Sequence, residues 1–109
     1  MMDGESRPQH GHPRFYELLE EAADLHERKN AGYAGIDNPD PLANFRESER
    51  FGVSAFRGCL VRLSDKFVRV GNLIRNSDNE QCGESLVDTL KDLAAYAYIA
   101  ICLFEEENP

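Results

Sequence analysis

Across residues 53–104 the apolar side chains recur three and four positions apart, interrupted once by the polar stretch 75-RNSDNEQCG-83. Phe56, Leu60, Leu63, Phe67, Val70 and Ile74 form the first series; Leu86, Leu90, Leu93, Ala94, Ala97 and Ile101 form the second. That spacing is the period of an amphipathic helix, not the alternation of a strand. It predicts long helices over 53–74 and from 84 or 85 to 104, each with its apolar series facing inward and with a fraying EEENP end.

An earlier helix is predicted from Pro13, a favourable first helical residue. Phe15, Leu18, Leu19, Ala22 and Leu25 keep the helical spacing, and Glu17, Glu20, Glu21 and Asp24 lie toward the other side. It is expected to stop between 28 and 31, before Gly32. Residues 32–52 read as loop, broken by Pro39 and Pro41, with a short helical turn over 42–49. A loop of this length in a small domain is more often functional than filler. Residues 1–12 combine Gly, His, Ser, Pro and charge and read as a flexible tail, which leaves 13–109 as a single helical domain. No segment alternates as a sheet would. The fold class is all-α: a small bundle of three long helices plus a short one, completed by oligomerisation because 109 residues give only a modest core.

The net charge of -8 argues against a duplex nucleic acid partner, which rewards a basic face. Cys59, Cys82 and Cys102 are odd in number and contain no CxxC, so they read as reduced thiols of a cytosolic protein. No secretory signal is expected at the start, and the longest apolar run, 93-LAAYAYIAICLF-104, is too short to span a bilayer.

The charge is sorted. Residues 53–75 hold Arg57, Arg62, Lys66, Arg69 and Arg75 against the single acid Asp65, a local +4 that leaves -12 for the rest of the chain. Arg62, Lys66 and Arg69 share a helical face and repel one another by a few tenths of a kcal/mol per pair. In 84-ESLVDTLKDLAAYA-97, Glu84, Asp88 and Asp92 stack at four-residue spacing and carry the same cost. Both costs fall if the two stripes face each other, and fall further with a charged ligand between them. A nucleotide satisfies both, its phosphates taking charge-assisted hydrogen bonds from Arg and Lys and its Mg²⁺ taking one or two carboxylates. Such an ion polarises a phosphoryl oxygen and orients water.

Structural readings cover part of this pattern. Ser85 and Asp88 have the spacing of a capping box, with Ser85 as N-cap. The basic stripe could pair with Glu17, Glu20, Glu21 or Asp24 in solvated salt bridges. Tyr96 and Tyr98 read as core or interface aromatics, whereas Tyr33 sits in a Gly-flanked stretch where a ring could close over a base.

The segments 29-KNAGYAG-35, Asn44-Phe45, 62-RLSDKFVRVGNL-73 and 84-ESLVDTLKDLAAYA-97 together resemble the phage and bacterial nucleotide-modification-associated domain family, type 1, over about residues 15–103. The resemblance implies a helical protein that binds or acts on nucleotides in the cytoplasm of an infected bacterial host. Lys29, Tyr33 and Asn44 would join Arg62, Lys66 and Arg69 in holding the substrate. A more distant similarity is to the all-α MazG-like and dimeric dUTPase-type pyrophosphohydrolases, whose paired acidic motifs grip Mg²⁺ in an oligomeric bundle. Glu17-Leu-Leu-Glu20 fits the first of those motifs, and Glu84 with Asp88, four apart rather than three, stands for the second.

These readings lead to three expectations. In the first, a Mg²⁺-dependent enzyme cleaves a nucleotide phosphoanhydride, with Glu84 and Asp88 catalytic and Glu84, Asp88, Asp92, Glu17 and Glu20 holding the metal. In the second, a non-catalytic binder sequesters a nucleotide or cyclic nucleotide that signals host defence. In the third, an accessory protein of phage DNA or nucleotide modification presents an exposed apolar patch near Tyr98 and Phe104. Each is expected to be a homo-oligomer, dimer or larger, with no membrane partner.

Overall fold

In the computed structural model, which describes residues 8–34, 40–76 and 82–109, the chain is built from helices and has no strand among those residues. The elements are α1 (Pro13–Ala34), a 3-10 helix (Ala43–Phe51), α2 (Ala55–Arg75) and α3 (Cys82–Glu107). The all-α expectation holds, with three long helices and one short one. The chain divides into two compact units, one ending at Pro41 and the other running from Leu42 to Pro109.

The first unit is α1 with its lead-in. Pro13 opens the helix as its composition predicts. The described end of the presumed tail is tied to the first turn: the Tyr16 hydroxyl donates to the His10 carbonyl at 2.7 Å, and His12 Nδ1 accepts from the Arg14 amide at 3.1 Å. Arg14 also bridges Glu17 at 3.3 Å and Glu21 at 3.0 Å, and these hydrogen bonds, Glu21 foremost, raise its already high pKa. The helix continues to Ala34, past the stop expected before Gly32.

The second unit is a hairpin. Phe56 touches Phe104, Lys66 touches Asp92 and Arg69 touches Thr89, so rising numbers on α2 meet falling numbers on α3 and the helices run antiparallel. The 3-10 helix packs against α2. It ends at Gly52, whose φ of 77° is left-handed and whose amide reaches back to the Glu49 carbonyl, a geometry that favours glycine. Ser54 then caps α2, its hydroxyl accepting from the Arg57 amide at 3.2 Å. Gly58 lets the two elements meet, since a Cβ there would lie 2.7 Å from Ser48 Cβ.

Among the described residues, the buried apolar cluster is Leu42, Ala55, Cys59, Ala100 and Leu103, flanked by Phe45, Phe56, Tyr96 and Ile99. The core therefore lies at one end of the hairpin, where α2 begins and α3 ends. The expected fraying of the acidic terminus does not occur, because α3 runs to Glu107 and its last acids have work there. Glu107 accepts from the Phe56 amide at 3.3 Å, supplying a carboxylate to the positive end of α2, and Glu106 bridges Arg46 at 2.9 Å.

Two further expectations change. α3 begins at Cys82, three residues before the expected N-cap, so Ser85 sits inside the helix and closes no capping box. The apolar series also do not bury as units. Leu60, Phe67 and Ile74 on α2, and Leu90, Ala94, Ala97 and Ile101 on α3, are exposed. The described residues pair each helix along one line of contact, and each apolar arc is wider than that line.

Candidate functional site

The candidate site is the polar seam along the other flank of the hairpin. Arg62, Lys66 and Arg69, at spacings of four and three, project from one side of α2. Facing them from α3 are Thr89, Asp92 and Tyr96, at spacings of three and four. The helical periods match, so Lys66 and Arg69 each meet a partner on α3, whereas Arg62 turns to the 3-10 helix.

Lys66 Nζ lies 3.0 Å from Asp92 Oδ2, with side chains 32% and 41% exposed. This is the contact anticipated between the basic and acidic stripes. Arg69 Nε donates to Thr89 Oγ1 at 3.3 Å, and that hydroxyl donates onward to the Ser85 carbonyl at 2.7 Å. Thr89 is only 3% exposed, so both hydrogen bonds matter to its burial. Arg62 donates to the Asn44 carbonyl at 3.2 Å and stacks its guanidinium 4.8 Å from the centre of the Phe45 ring. Phe45 meets Tyr96 edge to face at 5.8 Å, and the Tyr96 carbonyl accepts from the Cys59 thiol at 3.5 Å. The seam is thus continuous with the core. Burial pushes the Cys59 thiol pKa up, against a weaker downward pull from the Arg62 charge.

The cations are only partly committed. Arg69 uses Nε, and Arg62 uses one terminal nitrogen, so each retains N–H groups without a hydrogen-bond partner among the described residues. Lys66 is engaged by Asp92, which an incoming anion would have to displace.

The remaining expected site residues are distributed as follows. Asp88 is exposed on α3, one turn before Asp92. Glu84 lies in the first turn of α3, but its side chain falls outside the described residues, as does that of Tyr33 on α1. Asn44 contributes its backbone carbonyl rather than its amide. Glu17, Glu20 and Lys29 are on α1, in the other unit, where Glu17 bridges Arg14. Among the described residues no three His, Cys, Asp or Glu side chains converge as a metal ligand set. Asp88 and Asp92 are two hard oxygen donors one turn apart, a number that suits Mg²⁺ when phosphate oxygens complete its shell.

Sequence reasoning missed Thr89 and Phe45 as parts of the seam. Thr89 lies on the stripe of Ser85 and Asp92, and attention to carboxylates hid it. Phe45 lies in the expected helical turn over 42–49, but no role in the site was assigned to it. No described helix is long and apolar enough to cross a membrane. No family model, curated protein or solved structure matches the chain.

Proposed function

We propose that the hairpin unit is a nucleotide-binding module that grips phosphates through Arg62 and Arg69, on either side of the Lys66–Asp92 bridge. The observation that carries this reading is the alignment of three α2 cations along one seam, with N–H donors to spare on both arginines. Seven residues separate the arginines, roughly 10 Å along the helix axis. That interval suits a ligand with more than one phosphate, such as a nucleoside polyphosphate or a cyclic nucleotide built from two or more units. The motif resemblance to the phage and bacterial nucleotide-modification-associated family supports the same reading.

Asp88 and Asp92 would hold a Mg²⁺ brought in with the phosphates. The ion, when bound, supplies charge neutralisation and polarises a phosphoryl oxygen. The protein's own groups would orient the phosphates from Arg62 and Arg69, while Lys66 exchanges its carboxylate partner for a phosphate oxygen. Thr89 holds Arg69 in place from behind.

The test is incubation of the purified protein with a panel of nucleotides, linear and cyclic, with and without Mg²⁺, followed by chromatography of free and released ligand. Retained, unchanged nucleotide is expected, with affinity at least tenfold lower in the Arg62→Ala/Arg69→Ala double variant. New monophosphate that disappears in Glu84→Gln would identify a hydrolase on the same site. Neither retention nor product would overturn the reading.

The exposure of Tyr98 and Phe104, 58% and 49%, favours a second reading, that of an accessory protein with a protein-binding face. Failure to bind any nucleotide, together with retention of a modification enzyme, would support it.

A further inference from the structure

Arg62 differs from the other two seam cations in what it meets. Lys66 and Arg69 end on side chains of α3, Asp92 and Thr89. Arg62 ends on the 3-10 helix, with its guanidinium 4.8 Å from the centre of the Phe45 ring and one N–H given to the Asn44 carbonyl at 3.2 Å. The register of the two α3 pairs places Tyr96 across from Arg62, and the Phe45 ring touches both, meeting Tyr96 edge to face at 5.8 Å. That ring is itself fixed. It packs against the buried cluster around Leu42, Cys59 and Leu103, and its amide donates to the Leu42 carbonyl at 2.9 Å. The 3-10 helix that carries it is held to the start of α2 by the Ser48 hydroxyl, which donates to the Ser54 carbonyl at 3.1 Å, and to the end of α3 by the bridge of Arg46 to Glu106. A ring anchored in the core thus supports a long, exposed guanidinium.

We propose that Phe45 is a positioning residue of the phosphate grip, holding the Arg62 guanidinium over its ring so that the N–H groups not used by Asn44 are placed before a ligand arrives. This role rests on the nucleotide-binding reading of the seam and extends it to a residue of the 3-10 helix. Two physical points carry it. The first is geometry. A guanidinium is planar and weakly hydrated, so one face can lie on a ring while its edge still donates hydrogen bonds, which a compact ammonium does less well. Stacking on Phe45 and donation to a phosphate therefore do not compete, and the free edge can meet two phosphate oxygens at once. The second is entropy. An arginine loose in solvent loses rotamer freedom when it grips an anion, whereas one already stacked and hydrogen-bonded has lost that freedom on folding. Arg69 has equivalent support from the Thr89 hydroxyl, through a hydrogen bond instead of a ring. Phe45 acts through Arg62 and does not touch the ligand, which separates its role from that of a ring stacked on a base.

Isothermal titration calorimetry of the full chain at low salt, without Mg²⁺, reads the role, with ATP and inorganic tripolyphosphate as probes. Phe45→Met keeps bulk and removes the ring. It should weaken both probes by about three- to tenfold, the combined loss of the ring contact and of the pre-ordered side chain. In an Arg62→Ala background the same substitution should change either affinity by less than about twofold. Phe45→Tyr, which keeps a ring under the guanidinium, should bind both probes within about twofold of wild type. A ring deletion that costs as much without Arg62 as with it marks a merely structural role and overturns the inference. A loss confined to ATP overturns it too, because it puts the base on the ring. Nuclear magnetic resonance of the wild type gives a second reading that needs no variant to fold. The Arg62 δ-methylene protons should be shielded by the Phe45 ring and stay shielded when tripolyphosphate saturates the seam. Loss of that shielding on binding means that the guanidinium leaves Phe45 to reach its ligand, and overturns the inference equally. Binding of neither probe by the wild type also overturns it, and the panel of linear and cyclic nucleotides decides separately whether the phosphate reading falls with it.

Discussion

Asp92→Asn separates the structural role of the seam from the nucleotide binding proposed for it. The substitution keeps the shape of the side chain and removes its charge. In the native protein that charge faces Lys66 at 3.0 Å, in a pair roughly one-third exposed. Coulomb attraction at that distance is nominally about 5 kcal/mol at an effective dielectric of 20. Desolvation, side-chain ordering and solvent screening reduce pairs of this exposure to about 0.5–1 kcal/mol. Lys66 would then stand unneutralised between Arg62 and Arg69, adding a few tenths of a kcal/mol of repulsion. The total is about 1 kcal/mol, which lowers Tm by about 4–8 °C for a domain of this size. Affinity for a nucleotide without Mg²⁺ should move the other way. Removing a unit negative charge about 6 Å from a phosphate, at a dielectric near 60, gains about 1 kcal/mol, or roughly fivefold tighter binding. With Mg²⁺ present the sign should reverse if Asp92 is one of the two carboxylates proposed to hold the ion. Differential scanning fluorimetry and equilibrium dialysis at low salt read these effects. An unchanged Tm, together with unchanged or weaker metal-free binding, refutes the seam as described.

Gly58→Ala drives a methyl into Ser48 Cβ, and should cost about 1–3 kcal/mol in urea unfolding, recovered in part by adding Ser48→Gly. Thiol mapping at pH 8 should label the exposed Cys102 quickly and the buried Cys59 only on unfolding. Because burial raises the folded Cys59 pKa, the unfolded thiol ionises first, near about 8.5. Stability should therefore fall as pH rises through that value toward the folded pKa, and Cys59→Ala should flatten the slope. Glu107→Ala removes the acceptor for the Phe56 amide and should cost about 0.5–1 kcal/mol by thermal melting, with no effect on nucleotide retention.

The helices were legible because their apolar spacing is long and regular, and Pro13 marks the first of them. Their ends were less so. Gly32 does not stop α1, and Glu106 and Glu107 extend α3 because distant partners, Arg46 and the start of α2, hold them. No local rule contains such partners. The facing of Lys66 and Asp92 could be anticipated from charge sorting alone, since like charges on each helix need opposite ones nearby. Which flank of each apolar arc would be buried could not, because Leu60 and Cys59 are both compatible with helical spacing. The 3-10 helix was anticipated as a short helical turn over 42–49, but nothing local signals that it furnishes Phe45 and the Asn44 carbonyl to Arg62.

The lopsided core has a dynamic consequence. Aliphatic and aromatic packing concentrates around Ala55, Cys59, Ala100 and Leu103, whereas the other end of the hairpin is clasped by Lys66–Asp92 and Arg69–Thr89. The hairpin should breathe from that polar end, so amide deuteration should spread from the end of α2 and the start of α3 toward the aromatic end. An anion bridging Arg62 and Arg69 would splice the slack half to the taut one, and slowed exchange along the second half of α2 would report its arrival.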